Sequence, residues 1–367
     1  MRIIISSNTT WNIYNFRFSL VKKLLKNGYQ VFILAQKDSF CKNLEKLGCK
    51  VYNVEFQPRS ISIINNVKVI LKYYSITKKI NPKIILNFTI KPNILGNFAV
   101  FFLKYNVINT ITGLGNTFLK KNFLTLFTLI LYFLSFKKSK FVFFQNADDM
   151  NLFIKLGIIN KKKCKIVPGS GIKINNSKLS LQKKSNNKIT ILFIGRMIVD
   201  KGVNELLDAA KNIKKEFTNV EIWLLGSFDK SKENIKLKNK IIEYNLNGYI
   251  KHLEFCENVS KFIVQSDCVI LPSYREGLPR SLLEAAIYKR PVIATNVPGC
   301  RQLVKNNFNG FLCKSKNVNS LKDCIIKFIN IDFKKKIDMG NNNFKFVKNN
   351  YDEKIVINSY LNEISRH

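Results

Sequence analysis

The chain reads as an α/β protein of two parallel-sheet domains, and three observations predict this. Strand-like and helix-like segments alternate along most of its length, the mark of parallel sheets joined by crossover helices. Its 367 residues exceed what one core usually supports, so two domains of about 170 residues are expected, and a hydrophobic content of 46% suffices for two cores. Between Pro168 and Lys188 the alternation stops in a stretch of Gly, Ser, Asn and Lys, a linker composition.

Short apolar runs bounded by turn residues are assigned as strands, and longer segments with helical spacing as helices. The first half gives strand 2–6, helix 15–27, strand 30–35, helix 39–47, strand 50–54, helix 61–80, strand 83–88, helix 93–104, strand 107–111, helix 118–136, strand 140–144 and helix 147–156. The second half gives strand 189–194, helix 203–216, strand 219–225, helix 232–245, strand 250–254, helix 258–265, strand 267–271, helix 280–288 and strand 291–295, with a last helix at about 353–365. The domains are therefore expected at 1–168 and 189–349, with a hinge at 169–188 and a terminal segment at 350–367. No signal peptide is expected, since the first strand begins at Arg2.

The most informative segment is Glu276-Gly277-Leu278-Pro279-Arg280-Ser281-Leu282-Leu283-Glu284. Eight residues on a helix make a little over two turns, so both carboxylates are expected to lean toward one ligand across the helix N-terminus. Such an N-terminus attracts phosphate, and carboxylates beside it accept hydrogen bonds from sugar hydroxyls, a combination that suits a nucleotide sugar. Some eighty residues earlier the apolar run Ile189 to Ile194 ends in Gly195-Arg196-Met197-Ile198-Val199-Asp200-Lys201-Gly202. Gly195 lets the strand end close to a ligand, and Arg196 and Lys201 supply two cations for a diphosphate. Both segments fall at C-terminal strand ends, where open α/β sheets bind ligands.

At these residues, and at Arg290-Pro-Val-Ile-Ala-Thr-Asn-Val-Pro-Gly-Cys-Arg301, the chain resembles the retaining glycosyltransferases of family 4. The resemblance extends from the first strand to about residue 315. It implies the GT-B architecture, two Rossmann-like domains whose parallel sheets face a central cleft, with the last helix crossing back onto the first domain. It also implies roles: Arg196 and Lys201 on the donor diphosphate, Glu284 on the ribose, and Glu276 on the donor sugar, with Gly277 and Leu278 in the same donor loop. Within the family the chain most resembles the bacterial enzymes that extend undecaprenyl-diphosphate-linked sugars, N-acetylgalactosaminyltransferases among them.

Composition bounds the partners. Lys and Arg number 61 against 24 Asp and Glu, a formal net charge of +37. The lysines are spread along the chain beside abundant Asn, Ile and Phe, which fits AT-rich coding drift as well as selection for an anionic partner. Either way, such a surface is drawn to anionic lipid head groups and diphosphates. Nucleic acid is not expected, since the basic residues form no reading helix, zinc finger or aromatic RNA-binding strand. The eight cysteines show no C-x-x-C pairing and read as thiols of a reducing cytoplasm, neither a disulfide frame nor a zinc site.

Phe123 to Phe136 carries no charge and is bracketed by Lys120-Lys121 and Lys137-Lys138. At about 21 Å as a helix it is too short for a hydrocarbon core of roughly 30 Å. Asn122, Thr125, Thr128, Tyr132 and Ser135 form one narrow polar stripe, which leaves a wide apolar face. Burial between domains is the first expectation; a helix lying in a membrane interface, its lysines on phosphates, is the alternative.

The acceptor side is expected in the stretch after the first strand, with Asn8, Thr9 and Thr10 in a loop and Arg17 either on an acceptor diphosphate or facing solvent. Thr112 and Gly113, in Thr112-Gly113-Leu114-Gly115-Asn116, end another strand and are expected to line the same cleft. Many family members carry a histidine in this region, whereas this chain has only His252 and His367. No side-chain base is assigned, which fits a front-face retaining reaction in which the departing diphosphate oxygen accepts the proton. No Asp-x-Asp occurs, so neither a metal nor another cofactor is expected.

The expected function is transfer of a hexose or N-acetylhexosamine, UDP-GalNAc favoured, from a UDP-sugar to a lipid-diphosphate-linked saccharide during assembly of a surface polysaccharide or glycan. The expected location is peripheral, on the cytoplasmic face of the plasma membrane. A sugar-nucleotide epimerase of the same architecture is the alternative, but it calls for catalytic acids and histidines in the cleft. A basic lipid-binding or nucleic-acid-binding scaffold would leave Arg196, Lys201, Glu276 and Glu284 without a purpose.

Overall fold

The computed structural model describes residues 1–57, 62–115, 118, 123–174, 188–229, 231 and 234–367. Positions 175–187 of the expected hinge, Asn116, Lys120, Lys121, Asn122 and the expected helix starts at 61 and 232 lie outside the described residues. The chain divides into two compact units, one of residues 1–171 with 353–367 and one of residues 172–352.

The first unit contains β1 (Arg2–Thr9), α1 (Thr10–Lys26), β2 (Gln30–Gln36), α2 (Cys41–Lys46), β3 (Lys50–Asn53), α3 (Ile63–Ile80), β4 (Ile84–Phe88), a π-helical turn (Pro92–Gly96), α4 (Asn97–Ala99), β5 (Asn106–Ile111), α5 (Phe123–Phe136), β6 (Ser139–Phe144), α6 (Ala147–Lys155) and β7 (Cys164–Ile166). The second contains β8 (Ile189–Ile194), α7 (Val203–Glu216), β9 (Val220–Leu225), α8 (Ile235–Leu246), β10 (Lys251–Leu253), α9 (Ser260–Gln265), β11 (Cys268–Leu271), α10 (Arg280–Ile287), β12 (Val292–Thr295), α11 (Cys300–Leu303), β13 (Gly310–Cys313), α12 (Val318–Asn330) and α13 (Phe333–Asn350). The last helix, α14 (Glu353–Ser365), belongs to the first unit.

Both sheets are parallel and doubly wound, in the order β3-β2-β1-β4-β5-β6-β7 and β10-β9-β8-β11-β12-β13. The order reverses between β1 and β4 in one and between β8 and β11 in the other, and these are the points where such sheets open a crevice at the C-terminal strand ends. Period-2 alternation builds the layers of the first unit. Ile3 and Ile5 point to the side covered by α1, α2 and α14, whereas Ile4 points to the side covered by α3 and α4. Farther along that second side, Tyr132 and Phe136 of α5 and Phe153 of α6 pack on Val142 and Phe144. The second unit has one continuous core, in which Leu206, Leu207, Ala210 and Ile213 of α7 recur at helical spacing.

Several elements differ from expectation. The loop expected after the first strand is absent: β1 continues to Thr9 and α1 starts at Thr10, because Thr9 caps the helix through Asn12 N at 3.1 Å. The helix expected at 93–104 is a π turn followed by the short α4. β7, α11, β13, α12 and α13 received no assignment from periodicity.

The largest reversal concerns α5. Its polar stripe faces inward, with Thr128, Tyr132 and Ser135 buried, while Leu126, Phe127, Ile130 and Phe133 are exposed. The expectation of a buried apolar helix is therefore corrected. All eight cysteines are free, six of them buried.

Candidate active site

The second unit brings four of the expected donor residues to one edge. Gly195 and Arg196 follow β8, and a short turn, Val199–Lys201, leads into α7 through Gly202. Gly202 has φ +68, and a Cβ there would lie 2.1 Å from the Pro272 carbonyl oxygen, so only glycine lets this turn press against the loop after β11. That loop is stitched to the turn by Tyr274 N donating to Asp200 O at 2.9 Å, with Ser273 Oγ 3.3 Å from the same carbonyl. Tyr274 OH also donates to Glu205 of α7 at 2.7 Å.

The stitching sets Lys201 Nζ 2.5 Å from Glu276 Oε1, in a mostly buried ion pair at the β8/β11 switch point. Ser273 Oγ donates to the same Glu276 oxygen at 2.6 Å, and Thr295 Oγ1 in turn donates to the Ser273 carbonyl. Gly299, φ +81, lets the loop after β12 approach the Glu276 and Gly277 carbonyls, which a Cβ would meet at 2.8 and 2.6 Å. Glu276 is thus fixed from three loops. Leu278 packs on the core of the unit and anchors the loop.

The reading that put both acids on one helix is corrected here. α10 begins at Arg280, because Pro279 takes the N-cap position in an extended conformation. Glu276 therefore stands in the loop, four residues before the helix, and only Glu284 is helical. Glu284 Oε1 accepts from Arg280 Nε at 2.9 Å, a pair at i, i+4. Burial pushes the Glu284 carboxyl above the usual carboxylate range, and Arg280 works against that shift.

Arg196 is exposed, its Nη1 3.7 Å from Asp229 Oδ2. Asp229 is itself held by Ser231 N at 3.0 Å and Asn234 Nδ2 at 3.2 Å. Both expected diphosphate cations are therefore already opposite carboxylates. Ser273, Asp229, Tyr274 and Arg280 were missed by sequence reasoning. Only Arg280 carried a signal, its i, i+4 spacing to Glu284.

The acceptor-side residues fare differently. Asn8 near the end of β1 and Thr112 and Gly113 after β5 share the C-terminal edge of the first sheet, two strands or about 10 Å apart. Thr9 and Thr10 are structural: Thr9 is the cap, and Thr10 is buried with its Oγ1 donating to Asp38 Oδ1 at 2.5 Å. Arg17 is neither an exposed acceptor contact nor solvent-facing. It is buried with its guanidinium 4.3 Å from the Phe88 ring centroid. Burial lowers its pKa, and nearby Tyr360 opposes that.

The histidines are structural as well. His252 Nε2 lies 3.1 Å from Gly226 O with its ring on Phe228, and His367 pairs with Glu363 Oε1 at 3.1 Å.

Two doubly wound parallel-sheet units, one with a cation and a carboxylate joined at its switch point, define a protein of the GT-B class. The comparisons agree. The family model "Glycosyl transferases group 1" matches residues 177–346, and "Glycosyl transferase 4-like" matches residues 2–146. The chain is 27% identical, over 98% of its length and 97% of the relative, to the N,N'-diacetylbacillosaminyl-diphospho-undecaprenol alpha-1,3-N-acetylgalactosaminyltransferase of Campylobacter jejuni. It is 24% identical, over 73% of its length and 72% of the relative, to the UDP-Gal:alpha-D-GlcNAc-diphosphoundecaprenol alpha-1,3-galactosyltransferase of Escherichia coli. Its fold matches Anabaena HepE, solved with UDP and glucose, at a TM-score of 0.82 and 17% identity over the whole of both chains. The chain belongs to the family 4, group 1 glycosyltransferases.

Proposed function

We propose that the protein transfers a hexose or N-acetylhexosamine, GalNAc favoured, from a UDP-sugar to a saccharide carried on a lipid diphosphate, with retention of the donor's α configuration and without a metal. The observation that carries this reading is the Lys201–Glu276 pair at the switch point of the second sheet, with Glu284 one helix turn and more beyond it. The relatives whose printed names give a lipid-diphosphate-linked acceptor support the acceptor class.

In this reading Lys201 and Arg196 turn from Glu276 and Asp229 toward the donor diphosphate, stabilising the charge that grows on it as the glycosidic bond breaks. Glu284 accepts hydrogen bonds from the ribose hydroxyls, and Glu276, relieved of Lys201, faces the donor sugar. The departing phosphate oxygen takes the acceptor's proton, so no side-chain base is required. Asn8, Thr112 and Gly113 remain the acceptor-side candidates. The reaction is placed in surface polysaccharide or glycan assembly at the cytoplasmic face of the membrane. Among the described residues no helix is long and apolar enough to cross a membrane, so the association is proposed as peripheral.

The test is a screen of UDP-sugars with a lipid-diphosphate monosaccharide acceptor, read by mass spectrometry. A product one hexose or N-acetylhexosamine heavier is expected. Conversion of a free UDP-sugar to its epimer, with no transfer to any acceptor, would replace this reading with the epimerase one.

A further inference from the structure

We infer that the outer face of α5, together with the first turn of α3, is a membrane-docking surface that seats its apolar side chains among the head groups of an anionic bilayer. The helix is the reverse of an ordinary surface helix. Thr128, Tyr132 and Ser135 are buried, and its outer face presents Phe123, Leu126, Phe127, Ile130, Phe133 and Leu134, with Phe123 81% exposed. A lone exposed apolar residue is ordinary, but a contiguous face of this kind marks an interaction surface.

The rotation of α5 about its axis is pinned from within. Tyr132 packs edge-on and Phe136 tilted against Phe153, and Asn97 Nδ2 donates to Ser135 O at 3.1 Å. Turning the apolar face inward would break this packing and expel Tyr132 from the core.

α3 continues the surface. It packs, as α5 does, on the helical segment 92–99, and its first residues Ile63 and Ile64 are 77% and 70% exposed. A crossover helix runs antiparallel to the parallel strands it joins. The N-terminal turns of α3 and α5 therefore both lie at the C-terminal edge of the sheet, the edge that carries Asn8, Thr112 and Gly113.

Charge chooses the occupant. Lys68, Lys72, Lys78 and Lys79 of α3 are exposed, as are Lys137 and Lys140 after α5, and Lys137 Nζ sits 5.2 Å from the Phe133 ring centroid. Two copies of a chain of net charge +37 would bring these like charges together across a shared patch, whereas anionic head groups neutralise them. At 14 residues α5 cannot cross a bilayer, so it lies in the interface plane. The inference rests on the proposed lipid-linked acceptor only for its consequence, that docking brings the acceptor edge to the membrane; the surface itself rests on burial and charge.

Co-sedimentation with vesicles of phosphatidylcholine, with and without phosphatidylglycerol, tests it without donor or acceptor. The wild-type chain is expected to pellet with the anionic vesicles and to be partly released by salt. Phe127→Ser with Phe133→Ser is expected to keep the wild-type circular dichroism spectrum and to partition at least tenfold less. Should that pair fail to fold, Phe127→Trp serves instead, with a blue shift of the introduced indole's emission on adding anionic vesicles. A wild-type chain that stays in the supernatant, an unshifted emission from the Phe127→Trp variant, or a dimer in sedimentation velocity that the serine pair abolishes would overturn it. A further arm compares transfer to a vesicle-borne acceptor with transfer to a water-soluble analogue. Only the former is expected to fall in the serine variant, and vesicle binding without transfer to either would count against the proposed function alone.

Discussion

Removing Lys201 takes away a cation and, with it, one of the two hydrogen bonds that hold Glu276 Oε1. Lys201→Ala is therefore expected to lower turnover by about 10²-fold or more, and Arg196→Ala, exposed and opposite Asp229, by a comparable or smaller factor. Wild-type turnover in the Lys201 variant would remove the diphosphate role. The two acids should divide. Glu276→Gln is expected to lower kcat with a smaller KM change, since it acts while charge develops on the donor sugar, whereas Glu284→Gln is expected mainly to raise the donor KM. Glu284 also gives a pH signature. Because burial raises its pKa, acidification protonates it earlier than an ordinary glutamate, and a protonated carboxyl is a poorer acceptor for the ribose hydroxyls. The donor KM should rise as pH falls through that raised pKa, and Glu284→Gln should flatten the profile; an unchanged profile would break the assignment. That Lys201 and Glu276 stand at strand-to-helix junctions was legible, because each is a charged residue shortly after an apolar run. Arg17 was not, since sequence gives no hint that a cation is roofed by Phe88 and buried near Tyr360. Arg290, inside the family-like segment, is a buried clamp whose guanidinium donates to Ile263 O, Tyr288 O and Val264 O.

At the scale of elements, the donor edge is set by how closely two loops meet. Gly202→Ala forces a Cβ into a left-handed residue and toward Pro272 O, so a loss of about 2 kcal/mol is expected. In a unit of this size that lowers the melting temperature by about 4–8 °C. Turnover should fall beyond the loss of folded protein, because Lys201 is the preceding residue; a variant with wild-type melting and turnover would show that the turn tolerates a side chain. Most strands were legible, since buried parallel strands are continuous apolar runs bounded by turn residues. Boundaries failed where a side chain decided them, as where Thr9 caps α1 and Pro279 delays α10 past Glu276. The polar stripe of α5 was legible and its direction was not. Periodicity shows that a helix has two faces, but the side that meets the sheet is settled by partners such as Asn97 and Phe153, distant in sequence.

For the molecule as a whole, the proposed chemistry predicts the stereochemical outcome. NMR coupling constants of the product should show an α linkage from an α-linked donor, and EDTA should leave the rate nearly unchanged; a β product or abolition by EDTA would discard the mechanism. The two-domain architecture was legible from length, alternation and the break near residue 170. The path of the chain between the units has a further consequence. Ile172 N bonds to Tyr351 O at 2.9 Å, so the outgoing and returning segments meet here, and α14 then inserts Val356, Tyr360 and Ile364 into the first core. Tyr360 OH closes on Thr110 Oγ1 at 2.6 Å, and its ring packs on Phe143. Residues 172–352 are contiguous, whereas the first unit is not. During synthesis the second unit can therefore finish folding while the first still waits for its closing helix, its sheet left with an uncovered apolar strip for as long as the ribosome takes to translate the intervening residues. The half of the molecule that is made first is the half that is completed last.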